Sequence, residues 1–277
     1  DAYERVSGSA VYPSDISLPD MLYGAILRCP HAHARVLSVD TRDAEKMPGV
    51  RTVITGNTPE AALDWSYLRG FKTKLFDPTC RHEGEEVAAV AAETPYQAWD
   101  GLKAIKMKYE ILPFVVDEQK ALEAGVPPIH QGGNRSGETQ IYERGNVEKG
   151  FGEADVVLEE SFRTESELHT PMELHGCVAK WDGDRLTVWE STQGVYAVQS
   201  RIAEVLGLPL ANVRVIGHYM GGGFGSKLQA GKYTIIAALL AKMTAQPVKL
   251  FLTREETYLC VGNRPPSNMK LKAGVKK

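Results

Sequence analysis

The sequence predicts a fold of mixed helices and strands, α/β or α+β in class, arranged as two domains. Short apolar strand patterns alternate with helical patterns, and the connections between them are short. The length of 277 residues suits two domains. Prolines and glycines accumulate in residues 113–144, where regular patterns fade. We therefore predict domains at residues 1–112 and 145–277, joined by a surface connection at 113–144.

The first half should contain five strands and two short helices. Thr94 has a side chain typical of an N-cap, and Pro95 suits the first helical position. An earlier helix should end at Met47, before Pro48. In the last strand, apolar residues alternate with lysines, which predicts a half-buried strand. The predicted strands are 21–27, 34–39, 50–55, 85–92 and 105–111, and the predicted helices are 40–47 and 94–102.

The second half should continue the alternation of strands and helices. Two of its strands should form a hairpin around Gly183, which two aspartates flank. Gly207 should end a helix as its first non-helical residue. The predicted strands are 156–164, 178–181, 186–190, 213–216 and 248–252, and the predicted helices are 197–206 and 232–243.

Composition excludes several classes of partner. Hydrophobic residues make up 43% of the chain and charged residues 24%, which is ordinary for a globular protein. The net charge is −3 with acids and bases interspersed, so neither a nucleic-acid nor a membrane partner is predicted. The longest apolar run lies within residues 235–241 and is too short for a bilayer. No secretory leader is recognisable from Asp1 onward, so we expect a cytoplasmic location.

The cysteines argue against a metal centre held by this chain. They are widely spaced and form no C-x-x-C pair, unlike a zinc ribbon or an iron–sulfur site. Four reduced, mostly buried thiols are therefore expected. These cysteines are Cys29, Cys80, Cys177 and Cys260.

The most distinctive segment is the glycine loop, which we define as residues 221–227 with the sequence GGGFGSK. Four glycines in five positions expose the backbone, so its N–H groups can touch a ligand directly. A strand pattern precedes the loop and a helix pattern follows it, an arrangement that suits an anionic or oxo-bearing ligand. The spacing fits neither a phosphate-binding P-loop nor a dinucleotide fingerprint. The alternative is a loop that packs tightly against its own domain.

Three other polar positions in this half could carry chemistry. His169 and His175 flank Glu173, but they are six residues apart with a proline between, so we expect structural histidines more than metal ligands. Gln193 follows a strand and precedes a helix, where it is either a binding amide or a capping or surface amide. Arg264 precedes two prolines in extended chain, as either a surface charge or an anion clamp.

In their order along the chain, these motifs resemble one family. The sequence closely resembles the molybdenum-cofactor subunit of the xanthine oxidase, aldehyde oxidase and carbon monoxide dehydrogenase family, over essentially its whole length. The resemblance implies an α+β protein, with a hammerhead domain followed by the first part of a molybdopterin-binding domain. The matching second-half motifs are HTPME (169–173), TQ (192–193), GGGFGSK (221–227), REE (254–256) and NRP (263–265). Those of the first half are GSAVY (8–12), DI (15–16), PHAHARV (30–36), PGV (48–50) and EEVA (85–88).

The resemblance also implies roles for individual residues. Gln193 would hydrogen-bond an oxo ligand of molybdenum, and the backbone at Gly222, Gly223, Phe224 and Gly225 would approach the oxo group and the pterin dithiolene. The resemblance further implies that three side chains contact the substrate.

The first of these, Phe224, would wall the substrate channel, and Arg264 would face the pocket. The third, Leu228, stands where some purine-oxidising members have a glutamate, and a leucine cannot accept the hydrogen bonds of a purine. We therefore expect that xanthine is not the preferred substrate.

The implied reaction is oxidation of an aldehyde or an aromatic, often N-heteroaromatic, substrate with oxygen taken from water. The implied cofactor is molybdenum with molybdopterin or its cytosine dinucleotide form, and [2Fe-2S] clusters and FAD are expected on partner chains. The general-base glutamate is expected beyond Lys277, so no catalytic residue and no metal ligand is assigned to this chain. Expected partners are the remaining part of the molybdenum subunit, an iron–sulfur subunit, an FAD subunit and a small-molecule substrate. Alone, the chain should be inactive.

Other functions stay open from the sequence. The chain could be a scaffold subunit that binds no cofactor, or it could belong to a member that reduces an aromatic ring or oxidises carbon monoxide. A nucleotide-binding module is disfavoured by the spacing of the glycines.

Overall fold

The structure is a computed structural model that describes residues 2–67 and 71–277. In those ranges the α-helices are α1 (Ala2–Ser7), α2 (Pro95–Ala104), α3 (Val147–Gly152), α4 (Val195–Leu206), α5 (Lys232–Thr244) and α6 (Arg254–Leu259). The strands are β1 (Leu22–Arg28), β2 (Ala34–Asp40), β3 (Val50–Thr55), β4 (Asp64–Ser66), β5 (Lys72–Lys74), β6 (Thr79–Cys80), β7 (Glu86–Ala92), β8 (Lys106–Ile111), β9 (Val156–Thr164), β10 (Gly176–Asp182), β11 (Arg185–Glu190), β12 (Val213–Ile216), β13 (Val248–Phe251) and β14 (Ser267–Val275).

One mixed sheet of seven strands organises the first of two compact units, which contains the described residues up to Arg135 and Thr170–Val261. The strand order is β12-β11-β10-β13-β1-β7-β3. Strands β13 and β1 are parallel, as are β11 and β12, and the other neighbours are antiparallel. Strands from both sides of residues 113–144 thus lie in one sheet.

The core of this unit lies against the sheet. Helix α5 packs on β10 and β13, and α2 packs on β1 and β7. The residues of α5 from Lys232 to Ala241 are all buried, which explains why its sequence lacks a polar face. Strand β7 is buried along its whole length because it pairs on both edges and is covered on both faces.

Two smaller sheets complete the first unit. Strand β2 lies between β6 and β8, and β4 pairs with β5 as a short antiparallel ribbon. The second compact unit contains Ser136–His169 and Gly262–Lys277. It is a two-stranded antiparallel ribbon of β9 and β14, with α3 packed on β14.

Most predicted elements are confirmed within one to three residues at their ends. The helix predicted at 40–47 is wrong: the structure has a single 3-10 turn, Ala44–Lys46. Strand β2 continues to Asp40, and Met47 is extended because it precedes Pro48, so only one turn fits between them. The elements that the sequence analysis missed are α1, α3, α6, β4, β5, β6 and β14.

Two sequence expectations concern the chain as a whole. All four cysteines are free thiols, and Cys29, Cys80 and Cys177 are buried. Among the described residues, no helix combines the length and apolar character needed to cross a bilayer.

A buried cluster of charges ties the first half of the chain to the second. The Arg28 guanidinium contacts Glu86 Oε1 at 2.6 Å and Glu256 Oε1 at 2.8 Å. The Lys232 ammonium lies 3.2 Å from Glu86 Oε2 and 3.7 Å from Glu85 Oε1. Burial alone would raise the pKa of Glu86, but Lys232 and Arg28 lower it to about 2. The carboxylate therefore stays charged. It joins β7 to β1 through Arg28 and to the start of α5 through Lys232, and Arg28 in turn joins β1 to α6 through Glu256.

Replacing Lys232 by methionine should strongly destabilise the fold. Lys232→Met leaves Glu86 and Glu85 buried with less positive charge nearby, and loss of one partner of a buried ion pair costs about 3–5 kcal/mol. Chemical denaturation would measure the free energy of unfolding. Lys74→Met, which removes an exposed ion pair with Asp64, is the control and should cost at most about 1 kcal/mol. Equal small losses in both variants would contradict a stabilising role for the buried cluster.

Candidate functional site

The glycine loop has a backbone that few other sequences could adopt. It lies between β12 and α5, and its positive φ angles are 97° at Gly222, 51° at Phe224 and 98° at Gly225. Glycine reaches this region without steric cost, but a bulky residue such as Phe224 does not. Phe224 is nonetheless 73% exposed. Burial of its side chain therefore does not offset the cost of its positive φ angle.

Gln193 holds the loop from one side. It lies in the short connection between β11 and α4, as the sequence predicts, and its backbone N–H donates to the Lys227 carbonyl at 2.8 Å. Its side-chain Oε1 accepts hydrogen bonds from the backbone N–H groups of Gly225 at 2.8 Å and Lys227 at 3.3 Å. Because both partners are donors, Oε1 must be the atom that faces them. The Nε2 group is thus directed elsewhere and makes no hydrogen bond with any other described residue.

The absence of a side chain at Gly223 makes this contact possible. A Cβ atom built there would lie 2.3 Å from Gln193 Oε1 and 2.7 Å from its Cδ, closer than atoms can approach. Gly223 is buried. Among the described residues, the N–H groups of Gly222, Gly223 and Phe224 nevertheless donate to no acceptor. Successive unpaired amides of this kind can bind an anionic or oxo-bearing group.

Beneath the loop lies a buried ammonium group. The Lys227 side chain is fully buried, and its Nζ donates to Ser191 Oγ at 2.7 Å, to Glu173 Oε2 at 3.0 Å and to the Glu173 carbonyl at 3.0 Å. Glu173 Oε2 also accepts from Gly221 N at 2.8 Å. Burial lowers the pKa of Lys227, and the Glu173 carboxylate opposes that shift. Lys227 therefore belongs to the support of the loop and does not face a ligand.

His175 supports the same loop. It is 1% exposed, and its Nε2 lies 2.9 Å from Ser226 Oγ, whose own proton goes to the Gly223 carbonyl at 2.7 Å. The histidine nitrogen is thus the donor of this pair. His169 lies in the second compact unit. The buried, hydrogen-bonded position of His175 agrees with a structural histidine.

Helix α6 fixes the segment that carries Glu173. The guanidinium of Arg254 donates to the carbonyls of Pro171 at 2.7 Å and Met172 at 2.8 Å. A capping box starts this helix, in which Thr253 Oγ1 accepts from Glu256 N and the Glu256 carboxylate accepts from Thr253 N. The pattern Thr-x-x-Glu was present in the sequence and could have predicted α6.

A second buried carboxyl, Glu190, lies at the end of β11. Its exposure is zero, and Thr234 Oγ1 on α5 donates to Glu190 Oε1 at 2.9 Å. Burial raises the pKa of Glu190 to about 8, although hydrogen bonds from its neighbours and the charge of Lys227 oppose the shift. Glu190 is therefore largely protonated at neutral pH. Strand alternation in the sequence places Glu190 on the same buried face as Leu186 and Val188, and this signal could have identified it.

The structure brings together most of the residues that the sequence singled out. Gln193 and the loop residues Gly222, Gly223, Phe224 and Gly225 form one site. Leu228 directly follows the loop and is 52% exposed. Arg264 lies in the second compact unit, where its backbone pairs with that of Glu167, in the extended conformation that the two prolines predicted. In the sequence, Glu173 stands out only as part of the segment between His169 and His175. Nothing in the sequence indicates its bond to Lys227.

Two families match adjoining parts of the chain. Residues 7–113 match the a/b hammerhead domain of aldehyde oxidase and xanthine dehydrogenase, and residues 129–277 match the molybdopterin cofactor-binding domain. The glycine loop and Gln193 both fall within the second range. The predicted domain boundaries stay a prediction, since the strands of both ranges share one sheet.

Individual relatives agree with these families. The chain is 34% identical over 278 residues to a probable xanthine dehydrogenase subunit of Bacillus subtilis, covering 99% of this chain and 37% of that protein. It is also 34% identical to the nicotinate dehydrogenase large molybdopterin subunit of Eubacterium barkeri, covering 100% of this chain and 65% of that one. The crystal structure of quinoline 2-oxidoreductase from Pseudomonas putida 86 superposes with a TM-score of 0.87 and 28% identity, over 99% of this chain and 36% of that one. The chain thus spans about a third to two thirds of the length of these relatives.

A side chain at position 223 should open the site. Gly223→Ala places a methyl group where Gln193 Oε1 lies, so Gln193 must leave and the amides of Gly225 and Lys227 lose their acceptor. We expect a loss of about 1–3 kcal/mol in unfolding free energy and faster amide exchange at residues 225 and 227. The control is Gly132→Ala, whose added Cβ would meet no atom within 4 Å. Amide exchange at residues 225 and 227 that matches the wild type in both variants would contradict this expectation.

Stability should fall as pH rises, because of Glu190. The folded chain holds the proton of this carboxyl to about pH 8, whereas an unperturbed glutamate releases it near pH 4.5. Its stabilising contribution is therefore present below about pH 4.5 and is lost between there and pH 8, at up to about 1.4 kcal/mol per pH unit. Glu190→Gln should flatten this part of the stability profile measured by denaturation, whereas Glu60→Gln at an exposed position should not. A wild-type profile without this decline would contradict a neutral buried Glu190.

Proposed function

Because the chain belongs to the family of molybdenum-cofactor-binding large subunits of the xanthine oxidase and aldehyde oxidase type, we propose that it forms part of a molybdenum hydroxylase. The observation that carries this proposal is the row of unpaired amides at Gly222, Gly223 and Phe224, next to the unpaired Nε2 of Gln193. Three successive amides in a glycine-rich backbone, with a side-chain amide beside them, suit a group that carries oxo and thiolate ligands.

The residues of the site fit the molybdenum–pterin group as donors. When bound, this group supplies oxygen insertion from water together with removal of two electrons from the substrate. Gln193 would donate from Nε2 to an oxo ligand, while its Oε1 keeps the loop in place. The loop amides would donate to the oxo and dithiolene ligands without reorganising, because Gln193, Glu173 and Ser226 already fix the backbone around them.

Phe224 and Leu228 would bound the substrate. Both side chains are exposed next to the loop, at 73% and 52%, so they offer an apolar wall to an aldehyde or an aromatic substrate. Arg264 would supply a positive charge to the substrate pocket. Leucine at 228 provides no acceptor for purine N–H groups, so xanthine should be a poor substrate, and rapid xanthine turnover by the complete protein would contradict this assignment.

The remaining machinery would come from other chain segments. We propose a general-base glutamate in a part of the molybdenum subunit beyond Lys277, and a cofactor in the molybdopterin or cytosine dinucleotide form. Electrons would leave through [2Fe-2S] clusters and FAD on partner chains, because the four cysteines here form no C-x-x-C pair in the sequence. We also propose that the protein works in the cytoplasm and that this chain alone does not turn over substrate.

A scaffold subunit without cofactor is the second candidate. Members that reduce an aromatic ring or oxidise carbon monoxide are variants of the first candidate. The unpaired amide of the buried Gly223 disfavours the scaffold, since a buried amide without an acceptor is unfavourable unless a ligand satisfies it.

Metal and pterin analysis tests the proposal. We expect about one molybdenum and one pterin per copy of the protein, purified natively with the chains that accompany it. Gln193→Ala should lower the molybdenum content, because it removes both the loop contact and the Nε2 donor. The control Gln246→Ala removes a half-buried amide that bonds the Asp20 carbonyl outside the site, and it should leave the content unchanged. A wild-type protein with its partners present but without molybdenum would favour the scaffold.

A further inference from the structure

One carboxylate oxygen joins both ends of the glycine loop. Glu173 Oε2 accepts from Gly221 N, the first residue of the loop, at 2.8 Å, and from Lys227 Nζ, the last, at 3.0 Å. Ser191 Oγ donates to the same oxygen. Three separate chain segments therefore meet at a single atom.

The amides proposed to face the cofactor lie between these two attachment points. The N–H groups of Gly222, Gly223 and Phe224 donate to no other described residue, so their directions depend on how the backbone on either side is held. On the later side, Gln193 holds the Gly225 N–H, and the backbone N–H and hydroxyl of Ser226 hold the Gly223 carbonyl. Before them, the Gly221 N–H is directed by Glu173.

Glu173 is itself held in place. Lys227 Nζ bonds its backbone carbonyl as well as its carboxylate. Arg254 binds the carbonyls of the two preceding residues, Pro171 and Met172, and the Glu173 side chain lies against the position that a Gly221 Cβ would occupy, at 2.6 Å. The backbone and the side chain of Glu173 are thus both held in place, and the side chain in turn holds the backbone of the glycine loop.

We propose that Glu173 is the positioning residue of the glycine loop, and that it sets the direction of the three free amides through Gly221 and Lys227. This inference rests on the proposed function, in which those amides meet the molybdenum–pterin group. The positive charge of Lys227 serves to hold Glu173 and does not bind the anionic ligand. The contact between Glu173 and Lys227 therefore has two separate effects. It neutralises the buried ammonium group, and it fixes the geometry of the loop.

Two variants separate these consequences. Glu173→Gln leaves the buried Lys227 ammonium without its counter-charge and weakens the attachment of Gly221, so both stability and loop geometry should suffer. Glu173→Gln combined with Lys227→Met removes both charges with side chains of similar size. The double variant should recover stability, since no uncompensated charge remains. A methionine at position 227 cannot bond residue 173, however, so the last residue of the loop stays detached from it.

The experiment uses the complete protein with its accompanying chains and measures three quantities. These are the midpoint of thermal unfolding, hydrogen–deuterium exchange in the peptide that contains residues 218–228, and molybdenum and pterin content. In Glu173→Gln we expect a lower midpoint, at least tenfold faster exchange in this peptide, and a molybdenum content below half of the wild-type value. In the double variant the midpoint should return toward wild type, while the exchange stays fast and the molybdenum content stays low.

The matched control is Glu255→Gln, at an exposed glutamate on α6, which should match the wild type in all three measurements. Loop exchange within twofold of wild type in Glu173→Gln would overturn the proposal. Full recovery of exchange and molybdenum in the double variant would also overturn it, because Glu173 would then serve only to neutralise Lys227. If the wild type holds no molybdenum, the proposed function fails, whereas the exchange comparison still decides the role of Glu173.

Discussion

The site depends on a positive charge that has no access to water. An ammonium group as deeply buried as that of Lys227 is tolerated only with a counter-charge and further acceptors, which Glu173 and Ser191 supply. These partners come from the segment before β10 and from the end of β11. Satisfying one buried charge therefore brings the Glu173 segment, the β11–α4 connection and the glycine loop into contact. Gln193, two residues after Ser191, consequently lies beside the loop backbone.

The sheet holds those segments at one place. Strands β10 and β11 are antiparallel neighbours, so the residues just before β10 and those just after β11 lie at the same end. Strand β12 is parallel to β11, so the loop that follows it starts from this end as well. The buried cluster of Arg28, Glu86, Lys232 and Glu256 then connects β1 and β7 to α5 and α6. The support of the site thus extends into the half of the chain that lies before residues 113–144.

Local patterns in the sequence were enough to predict most strands, the hairpin at Gly183 and the two long helices α4 and α5. Alternation and capping signals depend on neighbouring residues only, which explains this success and also the single wrong helix, where Pro48 left too little room. The contacts that build the site are not local. Lys227 and Glu173 are 54 positions apart, and Arg28 and Glu256 are 228 positions apart. The sequence could mark Gln193 and the glycines through a resemblance, but not the buried carboxylates beneath them.

The central claim is that the free amides of the loop and Nε2 of Gln193 face a molybdenum–pterin group. X-ray diffraction from crystals of the complete protein, recorded on both sides of the molybdenum absorption edge, would locate the metal directly. The account predicts one anomalous peak beside Gln193 and the backbone of Gly223 to Gly225, with pterin density next to it. A molybdenum peak elsewhere in the protein, with these amides facing solvent or another side chain, would contradict it.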